Sequence, residues 1–200
     1  MRIRPYQDDD LDALYEICLR TGDSGADATA LYNDPKLLGH IYAGPYARLA
    51  PDLAFVLVDD HGPAGYVLGA ADTRAFEQQC EREWWPALRA AYPLPAPPDW
   101  AGNDRDRELV QQIHHPRTTD ARLLERAPAH LHIDILDRAQ GQGNGRRLIQ
   151  TLLEALAKRH VPAVHLGVGA ANTRAIGFYE HVGFTTVVEQ EWGRVMARSL

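Results

Sequence analysis

A glycine-rich stretch at residues 140–145 (QGQGNG) is the part of the chain best suited to bind a ligand through its backbone. Three glycines within five residues remove the Cβ atoms that would keep a ligand away from the main chain. If a helix starts here, its free N–H groups and the positive end of its dipole face one point. The stretch therefore predicts an anion site, most simply for phosphate.

The flanking residues predict the two elements that such a site needs. Residues 130–135 (HLHIDI) alternate between apolar and polar side chains, which is the period of a strand. After the glycines, leucine and isoleucine at positions 148, 149, 152, 153 and 156 recur at helical spacing. The glycine turn is thus expected to join the end of a strand to the start of a helix.

Two common nucleotide-binding motifs do not fit this stretch. A dinucleotide-binding turn has the spacing GxGxxG and an acidic residue about 20 positions on, whereas this chain has GxGxG and no such residue. A phosphate loop of the Walker type needs Lys-Ser/Thr after its last glycine, where this chain has Arg146 and Arg147. The alternative is that the glycines only permit a tight turn and bind no ligand.

Two sequence blocks carry a resemblance to one family. Gln140-x-x-Gly143-x-Gly145 resembles the pyrophosphate-binding motif (Arg/Gln-x-x-Gly-x-Gly/Ala) of the GCN5-related N-acetyltransferases, the GNAT superfamily. Residues 168–184 (VGAANTRAIGFYEHVGF) resemble the family's other signature, Asn-x-x-Ala-x-x-Phe-Tyr-x-x-x-Gly-Phe. The two blocks stand in the family's order, separated by one helix and one strand.

The resemblance implies an α/β (α+β) fold, the GNAT fold. In it a mixed, mostly antiparallel central sheet is flanked by helices and splays between its fourth and fifth strands, where the pantetheine arm enters. A length of 200 residues suits a single domain, 1–200.

Residues 73–128 are expected to form a helical insertion between strands 3 and 4, where simple family members have a short turn. Its first part, 73–92, predicts one helix that Pro86 kinks. The insertion and the following strand resemble the acetyltransferase-like C-terminal domain of O-GlcNAcase and its free-standing bacterial homologues. Trp84 and Trp85 are too large and apolar to be left fully exposed, so we expect the insertion to pack on the acceptor side and narrow or cover the cleft. A dimer interface is the alternative use of these tryptophans.

Composition limits the partners. A net charge of −6 argues against nucleic acid and mildly favours a cationic substrate. The sequence contains no run of 18 apolar residues, so no membrane span is predicted. The first ten residues lack the apolar core of a signal peptide. Two cysteines fit a reducing cytoplasm, and the nine histidines do not form a zinc pattern with them, so no metal is expected. A monomer and a homodimer are both compatible with these features.

The resemblance implies that acetyl-CoA is the cosubstrate. The residues it assigns to the cofactor are Ile133, Ile135, Gln140, Gln142, Gly143, Gly145, Arg146, Arg147, Asn172 and Tyr179. Backbone N–H groups from 142 to 146 would bind the pyrophosphate, and the arginines would reach the 3′-phosphate or remain solvated. The backbone of Ile133 and Ile135 would pair with the pantetheine amides, and the Ile135 N–H would bind the oxyanion. Asn172 would contact the pantetheine or serve only as a helix cap.

The catalytic assignments follow from what acetyl transfer to an amine requires. Tyr179 is the expected general acid for the leaving thiolate, since a phenol has a pKa of about 10 and a thiol of about 8.5. His130, His132 and Asp134 share one face of the predicted strand and are the candidates for the base. His-x-His at this place resembles the arylalkylamine N-acetyltransferases, whose paired imidazoles act through water. The alternative is that these polar residues are structural.

Three functions are left open by the sequence. The first is an N-acetyltransferase that acts on a primary amine of a small molecule or protein, by direct attack in a ternary complex. The second is an acetyl-CoA-binding domain with little catalysis, acting as a sensor or interaction module. The third is an unrelated nucleotide-binding α/β protein. Tyr32, Tyr42 and Tyr46 are either acceptor contacts or core residues.

Overall fold

A seven-stranded sheet is the centre of the fold in the computed structural model, which describes residues 1–97 and 99–200. The strands are β1 (Arg2–Pro5), β2 (Ala54–Asp59), β3 (Gly62–Ala70), β4 (Ala129–Ile135), β5 (Ala163–Gly169), β6 (Thr185–Gln190) and β7 (Gly193–Ser199). Their order across the sheet is β1-β2-β3-β4-β5-β7-β6, and of the neighbouring pairs only β4 and β5 run parallel. The predicted mixed, mostly antiparallel sheet is therefore confirmed.

The helices lie on both faces of this sheet. They are α1 (Leu11–Arg20), α2 (Leu37–Tyr42), α3 (Gly44–Leu49), α4 (Thr73–Glu83), α5 (Trp85–Ala91), α6 (Asp104–His114), α7 (Ala121–Arg126), α8 (Asn144–Ala157) and α9 (Thr173–His181). One buried cluster joins α1–α6 to the sheet face that carries Tyr66 and Leu68. A second cluster joins α8 and α9 to the opposite face, which carries Val67 and Leu131. The alternation of side chains along β3 and β4 thus separates two cores.

The sheet opens between β4 and β5. These strands pair only at Ala129 with Val164 and at His130 with His165, and from Leu131 onward they have no register with each other. On its other side β4 stays paired with β3 as far as Ile135. The splay expected from the resemblance is therefore present, and it exposes one edge of β4 over residues 131–135.

The insertion between β3 and β4 consists of α4–α7. The single kinked helix predicted over 73–92 is wrong in detail, because α4 ends at Glu83 and α5 begins at Trp85. Pro86 lies in the first turn of α5, where its missing N–H breaks no helical hydrogen bond. Trp85 is buried in the core that the insertion shares with α1–α3, and the Trp84 indole N–H donates to the His40 carbonyl over 2.9 Å.

Candidate active site

The glycine turn forms a cradle of unpaired backbone N–H groups at the start of α8. Gly141 and Gly143 both have a φ of +75°, a conformation that side chains disfavour. The first N–H to bond within the helix is that of Arg147, which donates to the Gly143 carbonyl over 3.1 Å. The N–H groups of residues 141–146 have no acceptor among the described residues. They converge at the positive end of α8, as an anion site requires.

Two side chains brace this turn, one against the end of β4 and one within the turn itself. The Gln140 amide donates to the Ile135 carbonyl over 2.7 Å, so it braces the strand instead of facing the turn. Asn144, which is buried, donates to the Ala139 carbonyl over 2.9 Å and accepts a bond from Arg147 over 3.0 Å. Asn144 was absent from the sequence-based site, although a polar side chain at a helix start is a signal for such a role.

The remaining residues of the turn differ in what they contact. A Cβ on Gly145 would lie 3.0 Å from the ring of Phe178, so this glycine lets α8 approach α9. A Cβ on Gly143 would meet nothing in the protein, so Gly143 is needed for its backbone angle. Gln142 is exposed. Arg146 and Arg147 are exposed as well and line a shallow pocket beside the turn, together with Ile3, Gln150 and Thr151.

On the free edge of β4, the backbone groups of the odd-numbered residues point into the gap between β4 and β5. The Leu136 N–H donates to Ala64, the residue opposite it, over 2.9 Å. Because antiparallel pairs alternate between bonded and non-bonded, Asp134 and His132 are bonded to β3, and Ile133 and Ile135 point their N–H groups into the gap. This is the geometry needed for an extended ligand chain to pair with β4 as an added strand.

Asn172 and Tyr179 lie on α9, beyond the gap. The Asn172 side-chain oxygen caps α9 by accepting from the Ala175 N–H over 3.0 Å. Tyr179 is 9% exposed, and its hydroxyl has no hydrogen-bond partner among the described residues. Since no fully buried side-chain polar atom there lacks a partner, this hydroxyl reaches solvent. Burial, with the charge of Asp134 second, raises the pKa of Tyr179 and keeps the phenol neutral.

His130 is fully engaged in a chain of hydrogen bonds. The Thr73 hydroxyl donates its only proton to the Pro128 carbonyl over 2.6 Å, so it must accept from His130 Nδ1–H over 2.7 Å. His130 Nε2 is then the acceptor for the Tyr46 hydroxyl at 2.6 Å. Burial, followed by the influence of His132 and His165, lowers the pKa of His130 well below its ordinary value. The ring therefore anchors the insertion to β4 as a neutral imidazole.

His132 makes no hydrogen bond to the described residues. Its ring lies between those of Tyr46 and Tyr42, with centroid distances of 5.3 and 5.6 Å. Its nitrogens reach solvent, by the same reasoning as for the Tyr179 hydroxyl. Burial, with His165 second, lowers the pKa of His132 to about 4, so at neutral pH the ring is uncharged and weakly basic.

Asp134 is held at one oxygen and open at the other. The Tyr66 hydroxyl donates to Oδ2 over 2.5 Å, and Oδ1 reaches solvent. Burial raises the pKa of Asp134 to about 6, and the bond from Tyr66 opposes that rise. At neutral pH the carboxylate is mostly ionised and is a stronger base than His132.

The three tyrosines considered from sequence have different positions. Tyr42 and Tyr46 stand beside His132, and each also contacts the insertion: Tyr42 donates to Gln112 over 3.3 Å, and Tyr46 stacks on Phe76 at 4.6 Å. Tyr32 packs against the core that the insertion shares with α1–α3, and its hydroxyl lies near Arg105 of α6. The insertion packs on this side of the sheet. That this is the acceptor side, and that the insertion covers the cleft, stay predictions.

The described residues offer neither a metal site nor a membrane-spanning helix. Outside the one undescribed position, 98, no group of three or more histidine, cysteine, aspartate or glutamate side chains is arranged to hold a metal ion. Among the helices of the same residues, none has the length and apolar character to cross a membrane.

Comparison with known proteins places the chain among acetyltransferases. The model of the acetyltransferase (GNAT) family matches residues 2–184. Protein O-GlcNAcase of Rattus norvegicus is 24% identical over 189 residues, which cover 94% of this chain and 20% of that protein. The chain thus spans about a fifth of the length of the O-GlcNAcase proteins of Rattus norvegicus and Mus musculus. The GCN5-like protein acetyltransferase Rv2170 of Mycobacterium tuberculosis is 30% identical over 119 residues, 60% of this chain and 58% of that protein.

Solved structures give the same picture. The crystal structure of SsHAT superposes with a TM-score of 0.87 and 39% identity, covering 99% of this chain and 97% of that one. The structure of yncA from Salmonella typhimurium, which contains acetyl-CoA, shares the fold at a TM-score of 0.56 and 15% identity, covering 100% and 92%.

Proposed function

The chain belongs to the acetyltransferase (GNAT) family, and from that premise we propose that it transfers the acetyl group of acetyl-CoA to a primary amine by direct attack in a ternary complex. The observation that carries this proposal is the exposed edge of β4. The strand leads into the glycine turn, and its Asp134 side chain has one open carboxylate oxygen. Cofactor and acceptor would thus meet at one strand.

The binding of acetyl-CoA is supported by two sets of unpaired N–H groups. Those of residues 141–146 suit the pyrophosphate, and those of Ile133 and Ile135 suit the pantetheine amides. Arg146 and Arg147 border the adjoining pocket and suit the 3′-phosphate. Asn172 has its side-chain oxygen engaged in the helix cap, which leaves its amide group for the pantetheine. Gln140 contributes indirectly, by fixing the end of β4.

Acetyl-CoA supplies an activated acyl group, and the chain supplies charge stabilisation and proton transfers. The Ile135 N–H points into the gap and would stabilise the negative charge that develops on the thioester oxygen. Asp134, ionised at neutral pH, attracts the acceptor ammonium, whose pKa is about 10.4. An ammonium has no lone pair, so it must first lose one proton to the open Asp134 oxygen, directly or through a water beside His132, and that proton passes on to solvent. The neutral amine then attacks, and the second proton that its nitrogen loses as the amide forms balances the one that the departing thiolate takes up. His130 takes no part in this step, because both of its ring nitrogens are bonded.

Tyr179 acts on the leaving group. Its hydroxyl is neutral and has no hydrogen-bond partner in the described part of the chain, so it can hydrogen-bond the thiolate as it departs. Because its pKa is raised above that of an ordinary phenol, full proton transfer to a thiolate is uphill. We therefore assign Tyr179 chiefly to stabilising the thiolate until a proton arrives from solvent through the same hydroxyl.

A turnover assay tests the proposal. Acetyl-CoA is incubated with the protein and a panel of primary amines, comprising 2-phenylethylamine, cadaverine and a lysine-containing peptide. Thiol release and the acetylated product are followed together. We expect amide product in proportion to thiol. Tight acetyl-CoA binding by calorimetry without amide from any amine would instead support the sensor or interaction module. Equal competition by a plain adenine nucleotide would contradict the acetyl-CoA site itself.

A further inference from the structure

Tyr66 lies directly opposite Asp134 in the ladder between β3 and β4, so both side chains project from the same face of the sheet. The Tyr66 side chain is completely buried, whereas Asp134 is half-buried. The 2.5 Å bond between them therefore joins a fixed, solvent-free phenol to a carboxylate at the floor of the cleft. Without Asp134 as acceptor, the buried Tyr66 hydroxyl would lose this hydrogen bond, and water could not replace it.

No other described group does the same for Asp134. The Thr21 hydroxyl, directly after the end of α1, lies beside the carboxylate but gives its proton to the Ile17 carbonyl over 2.8 Å. Cys18, on α1, is a buried thiol whose pKa burial raises. No lysine or arginine in the described part of the chain compensates the carboxylate. The other titratable groups on this side are His132, two residues earlier on the same face of β4, and Tyr179 on α9.

We infer that Tyr66 is a positioning residue for acetyl transfer: its hydroxyl fixes Oδ2 of Asp134, so that Oδ1 is presented to the acceptor nitrogen. This inference rests on the proposed function, since it gives Asp134 the role of proton acceptor. With one oxygen anchored, the carboxylate cannot rotate freely, and the acceptor meets the same atom in each turnover. The bond also favours the ionised carboxylate over the neutral one.

The test is Tyr66→Phe, which removes one oxygen atom. Aspartate labelled with ¹³C at Cγ reports the titration of Asp134 without any acceptor, and the resonance is identified by its absence in Asp134→Asn. We expect the midpoint to move to higher pH in Tyr66→Phe, because the ionised form has lost its donor. With the amine panel, we expect kcat to fall about tenfold, the acidic limb of kcat/KM to move in the same direction, and acetyl-CoA affinity to stay unchanged.

Tyr92→Phe is the matched control. The Tyr92 hydroxyl also donates to a carboxylate, that of Asp34, over 2.8 Å, but on the insertion. This variant should leave the Asp134 midpoint and the acidic limb in place. An unmoved Asp134 midpoint in a folded Tyr66→Phe would overturn the role of Tyr66, as would equal shifts in both variants. If Asp134→Asn itself leaves turnover and the acidic limb intact, the proposed function of Asp134 fails, and that outcome is distinct from failure of Tyr66 alone.

Discussion

Burial acts in opposite directions on the two polar residues of β4 that face the cleft. It disfavours the charged form of each, so the pKa of His132 falls to about 4 and that of Asp134 rises to about 6. The order of basicity in solution, in which imidazole is the stronger base, is therefore reversed in the protein. At neutral pH the ionised carboxylate is the better proton acceptor, and in the proposed function the neutral imidazole would orient water or acceptor.

The first prediction concerns the pH dependence of turnover. Replacing Asp134 by Asn should lower kcat/KM for the amine roughly 100-fold and abolish the acidic limb, whose midpoint in the wild type should lie at about 6. His132→Ala should reduce turnover but keep that limb, since its pKa of about 4 lies below it. Acetyl-CoA affinity, measured by calorimetry, should be unchanged in both. An acidic limb that disappears only in His132→Ala would reverse the assignment.

The second prediction concerns stability at the same residue. Because the native state raises the pKa of Asp134 above its unfolded value, the ionised carboxylate opposes folding as pH rises through about 6. Asp134→Asn removes that charge, and the Asn side-chain oxygen can still accept from Tyr66. At pH 8 the variant should therefore be more stable by roughly 1 kcal/mol, an amount discounted for the water that reaches Oδ1.

Urea denaturation at two pH values checks this. The gain of Asp134→Asn over wild type should shrink at pH 4.5, where Asp134 is already mostly protonated in the native protein. A variant that is less stable at pH 8 would show that the carboxylate is better compensated than its contacts indicate.

At the scale of the element, the turn between β4 and α8 could be predicted because its signals are local. Glycines, a strand period before them and a helical period after them stand within about thirty residues. The partners of the turn could not be predicted in the same way. The bond from Gln140 to Ile135 closes a short loop, and the register that turns Ile133 toward the gap depends on β3, far away in sequence.

The third prediction tests this turn. Gly143→Asp should weaken acetyl-CoA binding by about 100-fold, because it places a side chain and a like charge where the pyrophosphate would lie. The left-handed backbone angle at Gly143 also makes any side chain costly, so stability should fall too. Calorimetry with acetyl-CoA measures the first effect and thermal unfolding the second.

Gly62→Asp separates the two effects. Gly62 has a φ of +103° and nothing within reach of a Cβ, in the hairpin between β2 and β3. It should lose a similar amount of stability and keep its affinity for acetyl-CoA. Equal loss of affinity in both variants would mean that Gly143 acts through folding alone.

At the scale of the whole molecule, the sheet separates the core that contains α8 and α9 from the core that contains the insertion. In the proposed function the first would be the cofactor side and the second the acceptor side. Phe178, on α9, contacts the position of Gly145 on one side, and Phe76, on the insertion, stacks on Tyr46 beside His132 on the other. The sequence pattern predicted which side chains of β4 share a face, but it did not predict which tyrosine would lie beside them. The sequence around Tyr32 and the sequence around Tyr46 do not predict which of the two lies beside β4. Only the packing of the insertion distinguishes them. The same holds for the bonds that tie His130 to Thr73 and Tyr46.

The fourth prediction makes one substitution on each side of the sheet. Phe76→Leu removes the stacked ring beside Tyr46 and should raise the KM for the amine several-fold, with the affinity for acetyl-CoA unchanged. Phe178→Leu changes the packing of α9 against the glycine turn and should weaken acetyl-CoA binding several-fold, with the amine KM unchanged at saturating acetyl-CoA. Both replacements keep an apolar side chain, which limits the loss of stability.

Each variant is the control for the other. Steady-state kinetics at saturating concentrations of the fixed substrate give the amine KM, and calorimetry gives the acetyl-CoA affinity. If Phe76→Leu weakened acetyl-CoA binding as much as Phe178→Leu does, the insertion would be supporting the cofactor side through the sheet. If it changed neither quantity, the acceptor would approach β4 from a direction that the insertion does not border, and Tyr46 would be part of the core alone.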